Sequence, residues 1–208
     1  MIARVAMLGS LAVALAAPLA AQNVDVMFQV KEKRSGTIEF TPVTPQAPAG
    51  PAVGSMAPDF TAPGAAKDGI FKSPVHLSDF KGKTVVLAFF PKARTSGCTM
   101  QMTHYRDLYD SLFVGGKGVV LLGISVDPDT TLANWAKEQN FPFRFVSDSA
   151  GAIGKMYGTL GGAATMERRD VYVVAPDGKV SYVKVRFSPN TPPQYDTLGV
   201  EIKKTLKK

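Results

Sequence analysis

Two long apolar runs, Thr84–Phe90 and Gly118–Val126, constrain the fold of this chain more than any other feature. Both are rich in β-branched and large apolar residues and lack the polar alternation of a half-exposed strand, a pattern typical of strands buried on both faces of a parallel sheet. Between them, apolar residues recur at helical spacing over 98–112, and Gly115-Gly116 ends that pattern. The sequence therefore predicts two parallel strands joined by a crossover helix.

The elements after the second run extend this β-α-β order. The expected elements are a helix capped by Asp129 or Thr130, a short strand Phe143–Val146, a weaker helix from Ile153 to Tyr157, a hairpin of Val171–Val174 with Val180–Val185, and a closing helix with Pro193 near its start. Parallel strands with crossover helices, followed by a hairpin and a terminal helix, predict an α/β fold: a three-layer α/β/α sandwich around a central mixed sheet.

The N-terminal end has the pattern of a secretory signal peptide over residues 1–21. Arg4 precedes an apolar run from Val5 to Ala17, and small residues surround a cleavage point between Ala16 and Ala21. Residues 22–52 contain many prolines and few large apolar side chains, which predicts an extended linker, although Val24–Val30 could add a strand. We expect an exported protein, periplasmic or secreted, with one folded domain over residues 53–208.

Composition limits the remaining function classes. The chain has 208 residues and 45% apolar content, enough for one sizeable core, and its formal charge of +7 is scattered, which indicates a solvated surface and not a nucleic-acid site. After the signal, no apolar stretch reaches the length of a membrane span. His76, His104 and one cysteine do not have metal-ligand spacing, and no glycine-rich phosphate loop is present, so we expect no metal and no bound cofactor.

Cys98 is the only cysteine, and it stands where the first buried strand turns into a helix. A thiol at a helix start faces unpaired backbone N–H groups and the positive end of the helix dipole, both of which favour the reactive thiolate. A single cysteine is more often a small buried apolar residue, so position alone leaves both interpretations open.

The sequence around this cysteine resembles the peroxiredoxins (the alkyl hydroperoxide reductase and thiol-specific antioxidant family) of the thioredoxin-like superfamily, and most of all their bacterioferritin-comigratory branch. Pro91, Thr95 and Cys98 match the family's Pro-x-x-x-Thr-x-x-Cys motif at the end of a buried strand. The resemblance extends over residues 53–187 and includes matching segments on both sides of the motif: Val53-Gly54, Ala57–Phe60, Leu77–Lys83, the strand before Asp127, Lys155–Gly158 and the hairpin preceded by Arg169.

The resemblance implies a thioredoxin-like fold and a role for each motif residue. Cys98 is implied to be the peroxidatic nucleophile, Thr95 to hydrogen-bond the peroxide, and Pro91 to shield the site from water. The backbone N–H groups of Gly97 and Cys98 are implied to hold the reacting oxygen.

Two further residues follow from positions in the family pattern. The family's arginine falls on Arg169, whose charge would hold the thiolate and orient the substrate. A slip of one residue would exchange it with Arg168, and in extended chain the two face opposite sides. Gln101 lies where the related branch has Glu or Gln, and could support the site or face solvent.

The chain departs from the family at Thr103, where many members of this branch have a resolving cysteine. The implied mechanism therefore uses a single cysteine: a hydroperoxide oxidises Cys98, and an external thiol, either a thioredoxin-like protein or a small thiol, reduces it. A redox sensor or binding protein without turnover is the alternative. A thiol-disulfide oxidoreductase is disfavoured because it would need a Cys-x-x-Cys pair.

Overall fold

The structure, a computed structural model, describes residues 27–32, 38–43, 50–160 and 165–206. The chain divides into two compact units, residues 1–46 and residues 47–208, with the expected signal peptide outside the described residues. In the first unit, strands β1 (Met27–Glu32) and β2 (Ile38–Val43) pair antiparallel, with Met27 opposite Val43. This part of the expected linker is therefore a strand ribbon and not a single extended chain, since both stretches contain the β-branched and aromatic residues that suit pairing.

The second unit is built on one mixed sheet of seven strands. Strands β3 (Thr61–Ala62) and β6 (Val75–His76) form a small separate pair. The seven strands of the sheet are β4 (Gly64–Ala66), β5 (Gly69–Ile70), β7 (Thr84–Phe89), β8 (Val119–Ser125), β9 (Arg144–Ser147), β10 (Val171–Val174) and β11 (Val180–Lys184). The order across the sheet is β11-β10-β7-β8-β9-β4-β5. Strands β7, β8 and β9 are parallel, and β10, β11, β4 and β5 extend the sheet antiparallel on either side. The predicted central mixed sheet is confirmed.

The described residues of this unit also form the helices α1 (Ser96–Asp107), α2 (Tyr109–Leu112), α3 (Asp129–Glu138), α4 (Ala152–Met156) and α5 (Pro192–Thr205). Short 3-10 turns lie at Leu77–Phe80 and Val114–Gly116. None of the helices within the described ranges is both long enough and apolar enough to cross a membrane.

The alternation of side chains along β7 explains the three layers. All six of its residues are buried. Val86 and Ala88 join a core cluster with side chains of α1, α3 and α5, whereas Val85, Leu87 and Phe89 join a second cluster with α4 and the segment from Phe60 to Phe80. Successive strand residues point to opposite faces, so a strand that is apolar throughout needs cover on both. The predicted three-layer sandwich is thereby confirmed.

The expected cap of the helix after β8 is wrong. Helix α3 starts at Asp129, with Pro128 before it and no side-chain cap. The Asp129 carboxylate lies inside the first turn and accepts the backbone N–H of Thr130 at 2.7 Å. An acidic group there still interacts favourably with the positive end of the helix dipole.

Candidate functional site

The lone cysteine lies at the carboxyl end of the central strand β7, on the first turn of α1. After Phe89 the chain leaves the sheet, turns through Pro91–Thr95 and enters the helix at Ser96. Cys98 is the third helical residue, and its side chain is only 1% exposed because it packs inward with the α1, α3 and α5 cluster. The strand-to-helix junction expected from the sequence is therefore present, with the sulfur against the core.

The first turn of α1 presents backbone donors beside the sulfur. Its first N–H groups, including those of Gly97 and Cys98, have no acceptor within the helix. Gly97 also provides room, since a Cβ atom at this position would lie 3.3 Å from Nη2 of Arg169. A larger side chain here would push against the guanidinium that approaches Cys98.

Arg169 forms the contact with the cysteine. Its Nη2 donates to Cys98 Sγ at 3.3 Å, and its Nη1 donates to Gln101 Oε1 at 2.6 Å. Gln101 is fully buried, and its Nε2 donates to the hydroxyl of Tyr105 at 3.0 Å. Burial raises the pKa of Tyr105, so this phenol remains a neutral hydroxyl. Gln101 therefore does not face solvent.

Arg168 faces a different partner. Its guanidinium forms an ion pair with Asp170 at 2.6 Å and donates to the Gly158 carbonyl at 2.9 Å. The fully buried Asp170 also accepts the Arg186 backbone N–H at 2.7 Å. Adjacent residues of the extended chain point to opposite sides, so only Arg169 is directed at the sulfur.

The turn between the strand and α1 is fixed by hydrogen bonds at several points. The Thr95 hydroxyl donates to the Lys92 carbonyl at 2.9 Å, which leaves its oxygen lone pairs available as acceptors. The Ala93 N–H donates to Asp127 Oδ2 at 2.8 Å. Thr95 is exposed and Pro91 is half-buried, whereas Cys98 is buried.

A bidentate ion pair on the surface adds to these constraints. Arg94 has a left-handed backbone with φ of 63°. Its guanidinium reaches Glu138 on α3 through Nε at 3.1 Å and Nη2 at 2.6 Å. Both side chains are exposed, so we assign this pair little stabilising free energy.

The two histidines lie away from the cysteine. His104 Nδ1 is 3.1 Å from the Tyr195 hydroxyl on α5, and His76 Nδ1 is 2.8 Å from Thr61 Oγ1. Within residues 50–160 and 165–206, no group of three or more His, Cys, Asp or Glu side chains is arranged to hold a metal ion.

Sequence reasoning missed Asp127 and Tyr105 as parts of this site. Asp127 follows β8, the parallel neighbour of β7, and parallel strands bring their carboxyl ends to the same edge of a sheet. That rule could have identified it. Tyr105 is one of the apolar positions at helical spacing over 98–112, and this periodicity does not show that its buried hydroxyl has a polar partner.

Comparisons with known proteins agree with the fold and with the motif. The family model described as AhpC/TSA family matches residues 53–183. Peroxiredoxin Bcp of Escherichia coli K12 is 34% identical over 136 residues, which cover 62% of this chain and 83% of that protein. The chloroplastic peroxiredoxin Q of Triticum aestivum is 37% identical over 131 residues, which cover 62% of this chain but 57% of the wheat protein.

Solved structures extend the likeness to three dimensions. The crystal structure of peroxidoxin BcpB from Mycobacterium tuberculosis matches with a TM-score of 0.63 and 28% identity, covering 74% of this chain and 97% of that one. The matched segment contains the strand, the turn and the helix that together carry Pro91, Thr95 and Cys98. The chain therefore belongs to the AhpC/TSA family of peroxiredoxins, with the thioredoxin-like fold expected from its sequence.

Proposed function

We propose that this chain is a thiol-dependent peroxidase that reduces hydrogen peroxide or small organic hydroperoxides through Cys98. The observation that carries the proposal is the 3.3 Å contact between Arg169 Nη2 and Cys98 Sγ at the start of α1. A guanidinium and unpaired helix N–H groups around one sulfur stabilise negative charge on the reacting atoms and attract a polar oxygen substrate. Family membership and the peroxiredoxin names of the relatives support the same activity.

The first step breaks the O–O bond of the peroxide. The Cys98 thiolate attacks one oxygen, a sulfur–oxygen bond forms, and the other oxygen leaves as hydroxide or alkoxide and takes up a proton. Sulfur is oxidised to the sulfenic acid and the peroxide is reduced to water or an alcohol. Arg169 and the N–H groups of Gly97 and Cys98 are placed to stabilise the charge on the oxygens during this transfer.

The exposed rim of the site selects and orients the substrate. The Thr95 hydroxyl donates a hydrogen bond to the Lys92 carbonyl and accepts a hydrogen bond from the O–H of the peroxide. Pro91 limits the access of water from the strand side. Because Cys98 is only 1% exposed, a small hydroperoxide is favoured over a bulky one.

The cycle closes with a thiol from outside the chain. Cys98 is the only cysteine, and Thr103 stands at the resolving position of related proteins. An external thiolate attacks the sulfenic sulfur, a mixed disulfide forms, and the hydroxide that leaves takes up a proton to give water. A second thiol then displaces the Cys98 thiolate. A thioredoxin-like protein or a small thiol is the class of reductant this requires.

Replacing Cys98 with serine should abolish peroxide consumption, because a hydroxyl cannot be oxidised in this way. Stopped-flow oxidation of the residue 22–208 protein, followed by mass spectrometry of the cysteine-containing peptide with and without added thiol, measures the step. We expect a rate constant far above that of free cysteine and a gain of one oxygen on Cys98. A rate no faster than free cysteine would favour the redox-sensor alternative.

We also propose that the protein is exported to the periplasm or beyond the cell, which rests on the signal pattern of residues 1–21. Expression of the full chain in a Gram-negative host, followed by fractionation and intact-mass measurement, should give a processed form that begins between Ala17 and Gln22. An unprocessed cytoplasmic form would contradict this proposal and leave the peroxidase proposal intact.

A further inference from the structure

A buried carboxyl group lies two residues before Arg169. Glu167 is only 2% exposed. One carboxyl oxygen, Oε2, accepts a short hydrogen bond from the Thr159 hydroxyl. The other, Oε1, is buried and has no hydrogen-bond donor within the described residues. Burying a charged oxygen without a hydrogen-bond donor costs free energy, so this carboxyl group must either be protonated or move to a position where it is solvated.

The neighbours of Glu167 favour the protonated form of its carboxyl group. The charged groups that face it are Asp148, directly after β9, and Asp170 and Arg168 on its own segment. Asp148 is within hydrogen-bonding reach, and its two oxygens already accept the backbone N–H groups of Ile153 at 3.1 Å and Gly154 at 2.7 Å. Asp148 is therefore held as an acceptor, and Glu167 is the partner that can donate an O–H to it.

The Glu167 carboxyl group packs directly against the backbone of Gly154. A Cβ atom at Gly154 would lie 2.4 Å from both oxygens of Glu167, so the carboxyl group fills the space that the glycine leaves. Burial, reinforced by the negative charges of Asp148 and Asp170, raises the pKa of Glu167 to about 8, although the hydrogen bond from Thr159 opposes this shift. At neutral pH the group is therefore mainly protonated, and in mildly alkaline solution it ionises.

The same turn anchors the next residue of the segment. The Arg168 N–H donates to the Thr159 carbonyl at 2.8 Å, and the Arg168 guanidinium donates to the Gly158 carbonyl at 2.9 Å. Glu167 and Arg168 are therefore both attached to residues 158–159, directly before Arg169. If ionisation forces the Glu167 carboxylate away from Asp148 and Thr159, this attachment loosens at the residue that precedes the guanidinium.

We propose that protonated Glu167 is a positioning residue that holds Arg169 against Cys98, and that its ionisation releases Arg169 and slows the peroxide reaction at alkaline pH. The proposal rests on the proposed peroxidase function. Glu167 itself does not touch the reacting atoms, and it acts through the segment it anchors.

The test is the pH profile of Cys98 oxidation by hydrogen peroxide between pH 6 and 9.5, for wild type and Glu167→Gln. The glutamine is neutral at every pH, can accept from Thr159 and can donate to Asp148. If only the protonated form is competent, the wild-type rate constant should fall about tenfold from pH 7 to pH 9, following the protonated fraction of a group with a pKa of about 8. Glu167→Gln should show no such fall. Superimposable profiles would overturn the proposal.

A second measurement does not depend on peroxide chemistry. The folded pKa of Glu167 lies above its unfolded value of about 4.3, so the folded protein holds a proton that the unfolded chain has released. Its contribution is fully present below the unfolded value and is lost as pH rises toward about 8. The melting temperature of Glu167→Gln minus that of wild type should therefore increase from pH 5 to pH 8.

A matched substitution controls for the change of charge alone. Glu201 on α5 is half-buried and pairs with the exposed Lys204 at 2.7 Å, and Glu201→Gln removes the same charge at a position away from the Glu167 cluster. Both its pH profile and its melting curve should follow wild type. If Cys98 is inert toward peroxide at all pH values but the melting-temperature difference between Glu167→Gln and wild type increases with pH, then Glu167 is protonated in the folded protein and the proposed peroxidase function is contradicted. If the melting difference is absent, the proposal itself fails.

Discussion

Replacing Arg169 with alanine should slow the oxidation of Cys98 by hydrogen peroxide about 10²- to 10³-fold, the typical effect of removing one charge-stabilising donor from an active site. The variant loses the guanidinium that contacts the sulfur at 3.3 Å and leaves Gln101 Oε1 without its 2.6 Å donor. Arg169 is half-buried, so its removal should change the free energy of unfolding by much less than it changes the rate. Stopped-flow oxidation and urea unfolding measure the two effects separately.

The adjacent arginine is the matched control, and we expect the opposite result. Arg168→Ala leaves the fully buried Asp170 carboxylate without its ion pair, although the Arg186 N–H still donates to it. An uncompensated buried charge is strongly destabilising, and the partial exposure of Arg168 reduces the effect to about 2 kcal/mol. Its oxidation rate should remain within about threefold of wild type at 25 °C, because the backbone N–H of residue 168 can still donate to the Thr159 carbonyl and Glu167 still anchors the segment. Equal rate losses in both variants would contradict the assignment of Arg169 to the sulfur.

The segment that contains Arg168 and Arg169 shows that local sequence does not predict which charged residues are buried. The run Glu167–Asp170 consists only of charged residues and, taken alone, is typical of a solvated edge. In the structure Glu167 and Asp170 are buried, and the two arginines between them are half-buried. Charge density predicts exposure only when the charges have no buried partners, and pairing is a long-range property that a local pattern does not contain.

The buried strands and the motif were predictable for the opposite reason. An apolar run such as Thr84–Phe90 has to be covered on both faces whatever surrounds it, so its environment follows from its composition. The motif residues Pro91, Thr95 and Cys98 lie within eight positions, where one strand end and one helix start fix their relative placement. A contact between residues far apart in the sequence, such as that of Arg169 with Cys98, required the family pattern to locate it.

Helix capping illustrates a smaller failure with a physical cause. Asp129 and Thr130 both have the composition of an N-cap, yet the helix begins at Asp129 itself. Pro128, with its fixed φ, occupies the preceding position and supplies no side-chain acceptor. The same acidic residue can stabilise a helix start from the cap or from the first turn, and composition does not separate the two.

Replacing Asp127 with alanine should both destabilise the protein and slow the peroxide reaction. Its buried Oδ2 accepts the N–H of Ala93, in the turn before Thr95, at 2.8 Å and the hydroxyl of Ser125 at 2.9 Å. Without it, two buried donors lose their acceptor, at a cost of about 1–3 kcal/mol each. The turn that fixes Thr95 and the start of α1 also loses its attachment to β8, and we expect the rate of Cys98 oxidation to fall about tenfold, a typical loss for a displaced positioning group.

Asp127→Asn separates the hydrogen bond from the charge. The amide oxygen can still accept from Ala93, so this variant should recover most of the rate and most of the free energy of unfolding. The comparison is made at pH 7, where Glu167 is mainly protonated, so that ionisation of Glu167 does not add to the effect of replacing Asp127. If Asp127→Ala oxidises at the wild-type rate while its unfolding free energy falls, the turn is held in place by the Thr95 and Arg94 contacts alone, and Asp127 only stabilises the fold. If the asparagine variant is as slow as the alanine variant, the negative charge of Asp127, and not its acceptor oxygen, holds the turn.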